Sequence, residues 1–376
     1  MRSSRTLFLV CILLPCVAIA QKLDKTAFRD TLDGKMDFSR FLTEFHGFLP
    51  IVTFITEPAL GGFGVGVGPV FLKQKEAPEG MDYVAPDVSG GFAMYTVNNS
   101  WAGFAYHRGS LPKQGIKYSV AGGFISMNLA FYRDIETQGE QEFDFNIRMV
   151  TLFTSFSKRI SKSDMYLGLK YTVMDNDLTP KFSEGLPDFI NEDDLGSTTS
   201  SPGLFFDWDK RNSVFTPDDG FQINVGYQQD DDWTGSDFTF GKFNELAVFY
   251  WPVKNNWICG FRFEGLQAIQ DPPFYMLPYI SLRGIPAMRY QGQQTYVFET
   301  EQRFDFTGRW SLIGFAGYGK AISANESFSG GRNVFNVGTG FRYLVARVFK
   351  IRAGIDVAAG PDSWGWYINF GHAWNR

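Results

Sequence analysis

The chain has 376 residues, of which only 44% are hydrophobic although 17% are aromatic, with 39 Phe and 40 Gly. That balance fits a membrane barrel better than a soluble domain, because only every second residue of a barrel strand faces lipid and mean hydropathy stays low. A formal charge of −5 offers no basic face for phosphates and disfavours nucleic acid as a partner.

Residues 1–20 read as a secretory signal. Arg2 and Arg5 give a positive start, Leu7 to Leu14 a short apolar core, and Ala18-Ile19-Ala20 a small-residue cleavage site before Gln21. The run is too short to span a membrane as a helix. Lipoprotein processing at Cys16 is disfavoured, because Pro15 stands where that site needs a small residue. Cleavage removes two arginines and takes the charge from −5 to −7, and it leaves Cys259 as the one cysteine, so no disulfide framework forms within the chain. Residues 21–48 are polar and mixed. They form a short periplasmic segment with room for one short helix near Phe38 to Phe45. No later stretch is long and apolar enough for a membrane helix.

From 49 to 376 the pattern is all-β, and it predicts a transmembrane antiparallel barrel. Strands are expected near 49–57, 61–73, 89–97, 100–108, 116–132, 142–157, 164–174, 201–209, 220–229, 238–251, 256–268, 295–306, 310–319, 333–345, 348–359 and 364–374. That is about 16, with 14 as the alternative. Successive strand residues point to opposite faces, and four segments carry the reading. Phe143, Phe145, Ile147, Met149, Thr151 and Phe153 oppose Asp144, Asn146 and Arg148. Phe221, Ile223, Val225 and Tyr227 oppose Gln222, Asn224 and Gln228. Tyr296, Phe298, Phe304 and Phe306 oppose Glu299, Glu301, Arg303 and Asp305. Phe349, Ile351, Ala353, Ile355 and Val357 oppose Lys350, Arg352, Gly354 and Asp356. The apolar rows are expected to face lipid and the charged rows a wet lumen. A soluble sandwich would also alternate. Charges of both signs on the polar rows, and connections that alternate short and long, favour the barrel. Trp101, Trp208, Trp251, Trp257, Trp310, Trp364, Trp366 and Trp374 lie near strand ends, where an apolar ring with a polar tip suits the membrane boundary.

Several motifs fall in one order along these strands. Asp209-Lys210-Arg211-Asn212 precedes Pro217 and Gly220, a charged turn in which Pro fixes φ and Gly permits a positive one. Pro273-Phe274-Tyr275 and Pro278 lead to Leu282-Arg283-Gly284. Glu301-Gln302-Arg303 follows, then Ile313-Gly314-Phe315 and Gly319. Thr56 to Gly64 reads TEPALGGFG near the start of the barrel. Together these resemble the BamA/TamA bacterial surface antigen family over residues 49–376, in a short form without periplasmic POTRA domains. The resemblance implies that 270–294 folds into the lumen as a long loop, with Arg283 at its tip meeting Glu301, and that 209–220 is a periplasmic turn. Separately, Trp364, Trp366, Ile368, Phe370, His372 and Trp374 alternate along a terminal strand that resembles the signal by which barrels are delivered to the outer membrane, with the departure that Asn375 and Arg376 follow the last aromatic. Gly317 stands where the family often carries an Asp, so one acidic partner of the loop is expected to be missing.

No cofactor or metal site is expected. His46, His107 and His372 lie apart with no metal spacing. His107 near Ser110 is the one hydrolase pair that can be imagined, and no third group supports it. Asp230-Asp231-Asp232 and Glu192-Asp193-Asp194 read as solvated acidic loops rather than calcium sites. The functional expectation is an integral outer-membrane barrel that acts as a scaffold in protein assembly or translocation, with outer-membrane lipid and a separate periplasmic or outer-membrane protein as partners. The alternatives are a passive or gated pore and, more remotely, an outer-membrane enzyme.

Overall fold

The computed structural model describes residues 28–374 apart from 45–47, 79–82, 136–138, 162, 183–185 and 188–189. The expected signal and cleavage site, the Cys16 alternative and His46 lie outside the described residues. Sixteen antiparallel strands follow one another, each hydrogen-bonded to its neighbour in sequence. They are β1 (Phe48–Ile55), β2 (Gly64–Lys73), β3 (Asp87–Thr96), β4 (Trp101–Leu111), β5 (Ile116–Ile135), β6 (Gly139–Arg159), β7 (Met165–Pro180), β8 (Gly196–Asp209), β9 (Gly220–Asp230), β10 (Phe240–Lys254), β11 (Trp257–Ile269), β12 (Gln294–Asp305), β13 (Trp310–Ile322), β14 (Arg332–Ala346), β15 (Ile351–Ala359) and β16 (Trp364–Phe370). The sheet curls until β1 lies beside β16, where the rings of Phe54 and Trp366 come within 6.0 Å between centroids. Among the described residues no ladder joins these two strands. The result is a transmembrane barrel, nearly closed, with one unzipped seam. An even strand count puts both ends of the sheet at one mouth, called the near end below.

Alternation sorts the side chains as the pleat requires. Phe298 and Phe304 of β12 are exposed on the outer surface, while Glu299, Glu301 and Arg303 between them are buried inside. Val357 of β15 points outward and Asp356 inward, fully buried. Trp101, Trp251, Trp257, Trp310 and Trp364 are exposed on the outside at strand ends, as a boundary girdle requires.

The segment 142–153 departs from expectation. Its apolar row faces inward: Phe145 and Ile147 are buried with Phe131, Leu178 and Phe274, and Phe143 packs against them. Asp144 and Arg148 are exposed outside. The cause is strand length. β5 and β6, of 20 and 21 residues, stand taller than the rest, and their far-end halves have an apolar loop to cover rather than lipid to meet. A period of two cannot say which row goes in, because exchanging the faces leaves the pattern unchanged.

The terminal strand also departs. It stops at Phe370. Gly371, at φ 85°, turns the chain into the barrel, where the His372 amide donates to the Phe215 carbonyl at 2.7 Å. His372 and Trp374 are buried inside. At the near end, helix α1 (Ser39–Glu44) precedes β1, and residues 28–44 pack on the strand turns there.

Candidate functional site: a lumen closed from both ends

Loop 270–293 enters the barrel from the far end. Pro273 starts a single 3-10 turn, Phe274–Met276, that presents Phe274 to Phe131 and Phe145 at 4.9 and 5.3 Å between centroids. Tyr275 shares a 2.6 Å hydrogen bond with Ser197 of β8. Arg289 reaches Glu140 on β6 at 2.6 Å, and Arg332 of β14 takes the other oxygen of Glu140 at 2.8 Å. Deeper in, Ile280, Leu282 and Ile285 are buried with Val297, Ala321 and Val334. The loop is therefore a packed plug, and its apolar residues have a wall to meet.

At the tip, Arg283 is ringed by three carboxylates. Its guanidinium donates to Glu299 Oε1 at 2.8 Å, Glu301 Oε2 at 2.8 Å and Asp356 Oδ2 at 2.7 Å. It also lies 3.4 Å from the centroid of the Phe315 ring. The planar fork is what lets one side chain serve β12 and β15 together. Arg262 pairs with Glu264 at 2.9 Å and Glu299 at 3.3 Å, and Arg342 with Asp356 at 2.6 Å. Every charge in this cluster has an opposite neighbour, which burial demands. Gly284 has φ 84°, a conformation that favours glycine. Its amide donates to the Tyr367 hydroxyl at 2.8 Å, which ties the tip to β16.

Turn 210–219 and the tail 371–374 fold into the barrel from the near end. Asp209 holds Arg211 through two bonds, at 2.9 and 2.8 Å. Arg303 of β12 donates to the Pro217 carbonyl at 3.3 Å and to Asp218. At Gly220, φ is 101° and a Cβ would stand 2.2 Å from the Lys210 carbonyl oxygen. His372 meets Tyr250 at 3.0 Å. Trp374 donates its indole N–H to Glu299 Oε2 at 2.7 Å. Tip and tail thus meet on one carboxylate. Two polar cavities of about 450 and 360 Å³ remain near this mouth, both lined by Arg108, Lys117 and Arg211.

No family model matches the chain, and no curated protein matches its sequence. Solved structures do. BamA from Haemophilus ducreyi lacking POTRA domains 1–3 superposes with a TM-score of 0.56 at 11% identity, over 86% of this chain and 70% of that one. CdiB from Escherichia coli gives 0.59 at 11% identity, over 85% and 61%. CdiB from Acinetobacter baumannii gives 0.59 at 12% identity, over 86% and 60%. The barrel has the fold of these BamA and CdiB barrels. The chain spans less than two thirds of either CdiB and somewhat more of the BamA structure.

In this barrel the predicted positions fall into two groups. Leu282, Arg283, Gly284 and Glu301 come together at the tip, while Asp209, Arg211, Pro217, Gly220 and Arg303 gather at the near-end turn. The acid expected to be missing is supplied from elsewhere: Asp356 of β15 takes its place, beside Glu299. Gly317 has another use, since a Cβ there would sit 2.7 Å from Leu282 Cδ2 and 2.4 Å from Asn336 Oδ1. Sequence reasoning put Glu299 and Asp356 on inward rows without giving them a role. It missed Arg262 and Arg342, and it placed Trp374 outside.

The remaining polar candidates lie elsewhere. His107 bonds Ser89 at 2.7 Å, not Ser110. Asp230 accepts from Ser201 at 2.6 Å, Asp194 from the Asn191 amide at 2.9 Å, so both acidic runs are partly spent on local structure. Among the described residues no group of three or more His, Cys, Asp or Glu side chains is placed to hold a metal.

Proposed function

We propose that this chain sits in the Gram-negative outer membrane, its near end toward the periplasm, as a scaffold that assists the insertion or translocation of other polypeptides together with a separate partner protein. Residues 1–20 would be removed as the signal, leaving 21–48 as the periplasmic segment and 49–376 as the barrel. The observation that carries the reading is the unzipped β1–β16 seam beside a lumen that the chain enters from both ends. A passive channel wants an open polar lumen; here the loop tip, its carboxylates and the tail occupy it. An unpaired strand edge is a liability that proteins normally cover, and it becomes useful where another strand is to be paired.

The test is a deletion strain. Unassembled or untranslocated membrane proteins should accumulate in it; a normal outer-membrane complement would sink the reading. In planar bilayers the purified protein should conduct weakly, and more strongly once 270–293 is deleted. A large, steady conductance in the intact protein would point to a pore instead.

A further inference from the structure

Residues 28–44 make contacts that a mere leader would not need. Arg309, in the turn between β12 and β13, is completely buried. Its guanidinium donates to Asp33 at 2.8 and 3.1 Å, to Asp37 at 2.5 Å, and to Asp30. Arg347, in the turn between β14 and β15, adds a 2.8 Å bond to Asp33, and its amide donates to Asp37 at 3.0 Å. The Phe38 amide donates to the Val345 carbonyl at 2.7 Å, Tyr343 donates to the Met36 carbonyl at 3.0 Å, and the Val348 amide donates to Ser39 Oγ at 3.0 Å.

Every one of these partners belongs to β12–β15, on one side of the seam. The segment itself runs on through α1 into β1, on the other side. Leu42 of α1 is buried in a cluster that draws Leu72 from β2 together with Ala346, Phe349 and Ile351 from β14–β15. Val70 and Val88 of β2 and β3, and Val345 of β14, pack against the same cluster. The segment therefore crosses the gap that the strands leave unpaired.

We propose that residues 28–44 are an intramolecular clasp that holds the β1–β16 seam together at the near end, with Arg309 as the buried post to which three aspartates fasten. The clasp sets how far β1 can part from β16, and its release is the step that frees the seam. A guanidinium buried among three carboxylates suits this task. The pairs hold firmly while all are present, and removing partners leaves a buried charge uncompensated. The segment precedes the barrel, so it can detach without breaking a strand ladder. This inference rests on the seam's being the working edge only for its purpose; the contacts themselves are independent of what the seam does.

The experiment uses purified full-length protein with Cys259→Ser and with cysteines in place of Val52 and Ile368, two residues nearer the clasp on each strand than Phe54 and Trp366, whose rings come together across the seam. A short thiol crosslinker should join β1 to β16 efficiently. Replacing Asp30, Asp33 and Asp37 together by Asn should cut the crosslinked fraction at least about fivefold, because the buried Arg309 loses its counter-charges. The barrel should still migrate as a compact species before heating. An unchanged crosslinked fraction in a compact barrel would overturn the proposal.

Hydrogen exchange on the unsubstituted protein gives a second reading that does not depend on any variant folding. The amides of Phe38, Arg347 and Val348 should exchange as slowly as those of β14 and β15, and exchange at the rate of an unstructured chain would also overturn the proposal. Both readouts are made on purified protein. A deletion strain with normal membrane proteins would therefore remove the assembly reading and leave this result standing.

Discussion

Arg283 exchanges its water for three carboxylates and an aromatic face, and the exchange is favourable only while all of them stay in place. Arg283→Ala leaves Glu299, Glu301 and Asp356 crowded with one guanidinium fewer. A loss of about 3–5 kcal/mol is the usual scale for breaking a buried pair, and the expected outcome is faster proteolysis of 270–293 and a rise in bilayer conductance. Arg283→Lys should rescue only in part, since an ammonium cannot fork between β12 and β15. Unchanged proteolysis and conductance in Arg283→Ala would remove the tip from the account. Gly317→Val should act in the same direction by displacing Leu282.

The clasp aspartates make a pH prediction. The hydrogen bond from Arg309 holds the Asp33 carboxyl well below its ordinary range. Burial pushes Asp37 up, but hydrogen bonds from Ser39 and Arg309 outweigh it, and the net shift is also downward. Groups depressed in the folded state stabilise it fully above their unfolded value of about 3.9 and lose that contribution as pH falls through the folded values. The protection of the Phe38, Arg347 and Val348 amides, corrected for intrinsic exchange, should therefore be the same at pH 8 and pH 5 and weaken only in strong acid. Weakening already between pH 7 and 5 would contradict these shifts.

At the scale of elements, loop 270–293 has two separate attachments: an aromatic one on β5 and β6 and an ionic one on β12 and β15. Phe274→Ala should cost about 3–5 kcal/mol, as large-to-small changes in a packed cluster do, and should expose residues 270–278 to protease while the Arg283 cluster stays closed. Simultaneous release of tip and base would mean that the loop moves as one body.

The attachments also show how far the sequence could be read. The Arg-Gly tip and the inward rows of β12 and β15 were legible because charges on one row of an outward-greasy strand have nowhere else to go. The inversion of β6 was not, since two apolar partners, lipid and loop, compete for the same kind of row. Nor was the fate of Trp374: it keeps the parity of Trp364 to Phe370, and only the backbone turn at Gly371 sends it inside. Gly317 misled for a further reason. An acid absent from one strand says nothing of an acid on another, and Asp356 lies 73 positions from Arg283 in the chain.

At the scale of the molecule, the outer band and the closed interior predict different environments for tryptophans of similar sequence setting. In bilayers of brominated lipid, a protein keeping only Trp310 or only Trp251 should be strongly quenched, and one keeping only Trp374 should not. Quenching of Trp374 would place the tail outside and break its link to Glu299.

The barrel wall is lopsided. It rises from 8 residues in β1 to 21 in β6 and falls again to 7 in β16. The plug stands with its foot on the tall side, through Phe274, Tyr275 and Arg289, and extends its hand to the low side, where Arg283 and Gly284 grip β15 and β16. A shift of β16 would then pull on the hand while the foot stays planted, so movement at the rim's lowest point would register first as a lengthened Arg283–Asp356 contact deep within the wall.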